Sequence, residues 1–141
     1  QNRINESRSR HQMIRRALFL ALLLAGTAET ARATETMVCV SSDGGPEISM
    51  LMGTLDIASI VTASITHDGK TWATDGEGAM KIIVGQGFED AAQLVVDFTD
   101  DGLSTKVGEL RLAKASEAGM FAAGGTIRLP GSGAWAVNCS F

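Results

Sequence analysis

The chain has no tyrosine, only two cysteines and, beyond residue 33, a single histidine, His67. These shortages exclude a good deal of chemistry. A Ser-His-Asp arrangement needs a histidine held on both sides by partners, and His67 falls in His67-Asp68-Gly69-Lys70, which reads as a hairpin turn because Asp-Gly supplies the backbone such a turn needs. Zinc sites draw on clusters of cysteine and histidine. With both cysteines expected in one bridge, a lone imidazole remains, so no metal site is expected. Gly76-Glu77-Gly78 and Gly85-Gln86-Gly87 lack the third glycine and the following helix of a phosphate loop. No motif implies a cofactor, and there is no fixed-period repeat.

Long apolar runs are missing as well. The longest, Ala17 to Ala25, is shorter than the roughly 20 residues that span a bilayer. It follows the basic start Met13-Ile14-Arg15-Arg16 and precedes the small-x-small site Ala31-Arg32-Ala33. That order is a secretory signal peptide over 13–33, with cleavage expected before Thr34. Leu24-Ala25-Gly26 resembles the front of a bacterial lipoprotein box, but Thr27 stands where the lipidated cysteine would be. No membrane anchor is expected after cleavage, and the protein is expected in the periplasm or outside a bacterial cell. Residues 1–12, with Arg3, Arg8 and Arg10, read as an upstream extension apart from the fold. Residues 34–141 are then one domain of ordinary size.

The formal net charge of -4 conceals a split. Six of the twelve basic residues precede Thr34, so residues 34–141 carry six basic against fourteen acidic side chains, a net of -8. A phosphate backbone is recognised by a Lys/Arg footprint, and nucleic acid is therefore excluded as a partner. A surface of this sign steers basic partners, which points to a basic envelope protein.

Cys39 lies in Met37-Val38-Cys39-Val40 and Cys139 in the alternating stretch Trp135, Val137, Cys139, Phe141. Both read as strands with one buried face. Two cysteines allow one pairing, and an exported chain meets an oxidising compartment. A Cys39–Cys139 disulfide is expected to join the first and last strands; closing a loop of about 100 residues is worth up to about 4.7 kcal/mol in the chain-entropy model.

Between the cysteines, short apolar and β-branched runs alternate with turns rich in Gly and Asp. Strands are expected at Glu47 to Met52, Ile57 to Thr66, Thr71 to Thr74, Met80 to Val84 with a bulge near Gly85 and Gly87, and through Leu94, Val96 and Phe98. Leu103 to Ala118 fits either a helical stripe or a strand. Strand is preferred because Gly108 weakens a helix interior by about 1 kcal/mol relative to Ala. Met120 to Ala123 and Thr126 to Leu129 make one strand interrupted at Gly124-Gly125. About eight to nine short strands indicate an all-β fold, an antiparallel β-sandwich or small closed barrel, with its terminal strands linked by the disulfide. Short strands and few aromatics speak against an outer-membrane barrel. Trp72 and Trp135 sit among strand-patterned neighbours and are expected in the core.

The candidate binding residues are Asp97, Asp100 and Asp101, with Glu89 and Asp90 earlier in the chain. They lack the spacing of a calcium loop. Nothing in the sequence fixes the separation that paired glycosidase carboxylates need. No catalytic residue is assigned. The reading that covers both the absent catalytic set and the acidity is a non-enzymatic binding or inhibitory module for an envelope partner, its loops forming the contact. The alternatives are a structural subunit of an envelope assembly and a carboxylate-based hydrolase. In size, export and architecture the chain is similar to the small periplasmic lysozyme inhibitors, whose targets are strongly basic, but it lacks their Ser-x-x-Gly-x-x-Tyr loop.

Overall fold

Alternation of apolar and polar residues, with β-branched types and Gly/Asp turns between the runs, produces strands throughout. The computed structural model describes residues 34–53 and 58–141; the expected leader, the upstream extension and Ile57 lie outside the described residues. Nine strands follow in order: β1 Glu35–Ser41, β2 Glu47–Met52, β3 Ile60–His67, β4 Lys70–Ala73, β5 Met80–Glu89, β6 Gln93–Asp100, β7 Lys106–Glu117, β8 Met120–Leu129 and β9 Gly133–Ser140. They form a closed barrel in sequence order. The ambiguous stretch is β7, so the strand reading holds there. The interruption expected at Gly124-Gly125 is absent, because β8 pairs continuously with β7 through both glycines.

A closed ring of nine strands cannot be antiparallel throughout, since going once round it must restore the starting direction. The exception is β4–β5, which is parallel and holds only two register pairs, Trp72↔Met80 and Ala73↔Lys81. Parallel neighbours usually need a crossover of a dozen or more residues. Here residues 74–79 suffice because the overlap is so short.

This topology gives the barrel two distinct ends. The β1–β2, β3–β4, β6–β7 and β8–β9 turns lie at one, called the upper end. At the lower end are the β2–β3, β5–β6 and β7–β8 connections, the start of β1 and the end of β9. The ring closes where β9 pairs with β1, from Val38↔Ser140 to Ser41↔Val137. Cys39 and Cys139 face each other in that seam with Cα atoms 4.0 Å apart and are joined by the expected disulfide.

Inward positions fill the barrel with side chains, as a small barrel requires. Met37, Ile48, Met50, Ile65, Ile82, Leu94, Val96, Phe98, Leu110 and Ile127 have no exposed surface. Phe98 lies opposite Gly108 in the β6–β7 register, and a Cβ at Gly108 would stand 3.5 Å from the Phe98 ring and 3.1 Å from Ile65. The glycine that argued against a helix thus makes room for the largest core side chain. Trp72 and Trp135 are half-buried and pack against the core. The bulge expected near Gly85 is present as a register shift between Val84 and Gln86.

His67 departs from expectation. It ends β3 rather than sitting in the turn, its side chain is only 10% exposed, and its ring lies 4.6 Å from that of Trp135. The turn itself is Asp68-Gly69, both at positive φ (48° and 70°), as a two-residue hairpin requires. The β7–β8 turn uses Ala118-Gly119 in the same way, with Ala118 at φ 51°. A Cβ disfavours this conformation, whereas Asn tolerates it. Ala118→Asn is therefore expected to add about 0.5–1 kcal/mol of stability, read as a higher denaturation midpoint at unchanged m-value. A lower midpoint would contradict the turn assignment.

Candidate functional site

The five carboxylates singled out in the sequence do not converge. Asp100 and Asp101 close β6 at the upper end, whereas Glu89 and Asp90 adjoin the β5–β6 turn at the lower end. β6 is eight residues long, which separates the two groups by roughly 25 Å. Asp97 lies between them on the outer wall.

Most of these groups already have structural partners. The Asp100 carboxylate accepts hydrogen bonds from the Ser104 backbone N–H (2.7 Å), the Ser104 hydroxyl (2.8 Å) and the Thr105 N–H (3.1 Å), closing the β6–β7 turn. These bonds, the Ser104 hydroxyl foremost, hold its pKa below the usual carboxylate value of 3.8. Asp90 plays the same part in its own turn, accepting from the N–H groups of Ala92 and Gln93, both at 2.8 Å. Its pKa is lowered too, chiefly by the Ala92 bond. Glu89 pairs with Lys114 at 2.5 Å. Asp101 is exposed and has no ion-pair partner among the described residues.

Asp97 is 8% exposed, the buried charged residue of the barrel wall. It lies opposite Glu109 in the β6–β7 register, where two like charges would repel. Three cations resolve the conflict. Arg111 Nη2 reaches Asp97 at 2.6 Å, Lys106 bridges Asp97 (3.1 Å) and Glu109 (2.7 Å), and Arg128 meets Glu109 at 2.6 Å. Arg111 also donates to the carbonyls of Val96 and Leu110. Desolvation pushes the Asp97 pKa up, but the hydrogen bonds from Arg111 and Lys106 outweigh it and the net shift is downward. Glu109 is lowered mainly by its Lys106 bond, and Lys106 is raised by Glu109 first and Asp97 second. Both members of this facing pair are therefore ionised at neutral pH. Glycoside cleavage needs one protonated carboxyl, and this pair does not supply it.

The lowered pKa values of Asp90, Asp97, Asp100 and Glu109 have a stability consequence of definite sign. Their contribution is present in full above the unfolded values of 3.8 to 4.5 and is lost as the pH falls through the folded ones. Lys106 acts oppositely, contributing below 10.5 and losing its contribution as the pH rises above it. Stability is expected to be flat near neutrality and to fall below about pH 4. Asp100→Asn should lower the melting temperature by a few degrees at pH 7 and weaken the acid dependence. Asp101→Ser should alter stability by less than about 0.5 kcal/mol. Equal effects of the two replacements would contradict the turn-closing role of Asp100.

The upper end gathers Asp100 and Asp101 with carboxylates that the sequence did not single out. Asp43 and Glu47 flank the β1–β2 turn, Asp68 lies in the β3–β4 turn, and Asp100 and Asp101 lie in the β6–β7 turn. Asp75 and Glu77 ride on the β4–β5 connection, which climbs back toward the upper end to bring Met80 level with Trp72. The five on the β1–β2, β3–β4 and β6–β7 turns are exposed except for Asp100, and Glu35, Glu89, Asp90 and Glu117 lie toward the lower end. The basic residues are placed elsewhere or already engaged. Lys106, Arg111 and Arg128 serve the Asp97–Glu109 wall, Lys114 serves Glu89, and Lys81 donates to the Thr74 carbonyl. Lys70 is left at the upper end, in the turn that carries Asp68. Among the described residues, no group of three or more His, Cys, Asp or Glu side chains is arranged to hold a metal ion. Comparison with protein-family models, with curated proteins and with solved structures finds no match to this chain.

Proposed function

We propose that the domain is a non-enzymatic binding or inhibitory module exported to the bacterial envelope, and that its upper end is the face that meets a basic protein partner. The observation that carries this reading is the convergence of five carboxylates, Asp43, Glu47, Asp68, Asp100 and Asp101, on the upper-end turns, while Lys106, Arg111, Lys114 and Arg128 are engaged in ion pairs with other carboxylates. A concentrated field of one sign raises encounter rates with an oppositely charged partner and disfavours like-charged ones. Turns on a rigid, disulfide-closed frame also suit a contact surface, because their backbones are held in place before the partner arrives. The leader over 13–33 supports export, and the Cys39–Cys139 bridge is consistent with an oxidising compartment.

The test is capture from periplasmic extract on the immobilised protein, at low and then high salt. A basic protein retained at low salt and released at high salt is the expected result, because contacts between exposed charges are screened. Stoichiometric retention that withstands high salt would instead favour a structural subunit of an envelope assembly. Recovery of no basic protein would remove the reading.

A further inference from the structure

His67 is the one histidine of residues 34–141; the other in the sequence, His11, precedes the expected cleavage site. Between about pH 5 and 8 histidine is the side chain whose charge ordinarily changes. The fold puts this one among the upper-end carboxylates. It ends β3, with Asp68 next in the chain and Lys70 opposite it in the β3–β4 register. Its Nε2 stands 3.3 Å from the carboxylate of Asp68, whose side chain is 81% exposed. On the β2 side, Glu47 pairs with the neighbouring Thr66. From β9, which carries no charged residue, comes Trp135, its ring tilted 60° to the imidazole. The indole lies in turn against two glycines: a Cβ at Gly45 of the β1–β2 turn would stand 2.5 Å from it, and one at Gly133 2.8 Å. Neither position can carry a side chain while the indole holds its place. The charged groups beside His67 on these elements are therefore Glu47, Asp68 and Lys70, with Asp43 two residues before Gly45.

We propose that His67 makes the upper end pH-responsive: protonation of its ring offsets the charge of Asp68, and the hold on a basic partner weakens as the surroundings acidify. The inference rests on the reading of the upper end as the partner-binding face. A neutral imidazole carries one N–H and one lone pair. The N–H at Nε2 meets the Asp68 carboxylate, while Nδ1 is buried and has no hydrogen-bond partner. A second proton turns the ring into a cation within ion-pair distance of that carboxylate. The five upper-end carboxylates and Lys70 give a net of -4, which the protonated ring makes -3. Position decides what this does. Asp68 is the exposed member of the pair, so it is the group a partner's ammonium or guanidinium reaches, and the histidine cation behind it repels that same charge. The ring itself is 10% exposed, so the change alters the charge of the face and leaves its outline alone.

Calorimetric titration of the purified protein with a short lysine homopeptide, at about pH 7.5 and about pH 5.5 and constant low ionic strength, tests the proposal. The expected result is a dissociation constant at least about threefold higher at the lower pH, the factor that one unit charge about 6 Å from a bound ammonium exerts in water. His67→Gln, which stays neutral, should bind equally at both pH values, with circular dichroism confirming its fold. Trp135 supplies a second signal. A protonated imidazole in contact with an indole quenches it, so tryptophan emission should fall over the same interval in the wild type and hold steady in His67→Gln. Equal wild-type affinity at the two pH values, or a pH effect retained in full by His67→Gln, would overturn the proposal and leave the upper-end reading standing. Absence of peptide binding at either pH would overturn that reading and the proposal with it.

Discussion

Gly125→Ala is expected to destabilise the domain by about 3 kcal/mol or more, whereas Gly124→Ala, one residue earlier, should change stability by less than about 1 kcal/mol. The two glycines sit side by side in β8 and pair with Leu112 and Ala113 of β7. A Cβ at Gly125 would lie 1.9 Å from the Arg111 carbonyl oxygen and 2.9 Å from its carbonyl carbon. Those are backbone atoms, fixed by the β6–β7 and β7–β8 ladders on either side, so relief requires the strands to separate. At Gly124 the nearest atom is the Asn138 side-chain oxygen at 3.3 Å, the movable end of an exposed side chain. Urea denaturation of the two variants measures the contrast. Similar midpoints would mean that β7 and β8 do not approach as closely as described.

Reduction of the Cys39–Cys139 bridge, or its replacement by two alanines, is the second large effect expected. The bond spans 100 residues of chain and sits in the seam that closes the ring. Loss of such a bridge typically costs about 2–5 kcal/mol. With about 4–8 °C per kcal/mol for a domain near this size, the melting temperature should fall by at least about 8 °C. Part of that loss arises in the unfolded chain, which regains the freedom the bridge removed. The seam adds a second contribution: the other weak joint of the ring, β4–β5, has only two register pairs, so a loosened β1–β9 seam would leave two joints through which the barrel can open. Thermal melts with and without reductant measure the effect, and an unchanged melting temperature would contradict it. Non-reducing digestion and mass spectrometry should recover the two cysteine peptides linked.

The strands, their inward faces and the disulfide were legible because each is a local pattern. Ile48, Met50 and Met52 alternate in β2, Leu94, Val96 and Phe98 in β6, and the cysteines fall on inward positions of the first and last strands. The candidate site was not legible in the same way. In a plain meander, alternate turns share an end, so the β1–β2 and β3–β4 turns would lie opposite the β6–β7 turn. The parallel β4–β5 pair reverses that assignment and brings Asp100 and Asp101 to the same end as Asp43, Glu47 and Asp68. Two register pairs of parallel strand leave no distinctive periodicity. The dense stretch from Asp97 to Asp101 drew notice as a local cluster, yet Asp97 faces a ladder of cations and Asp100 closes a turn. The acidic end is a property of topology, assembled from single carboxylates on separate turns.

Amide chemical-shift mapping on the isotope-labelled protein, titrated with the basic partner recovered from envelope extract, tests the central claim most directly. Perturbations are expected to concentrate in residues 41–47, 67–70 and 100–105, diminishing as salt is raised. Perturbations confined to the lower end or to the wall formed by β9, β1 and β2, or a response unchanged by salt, would contradict it.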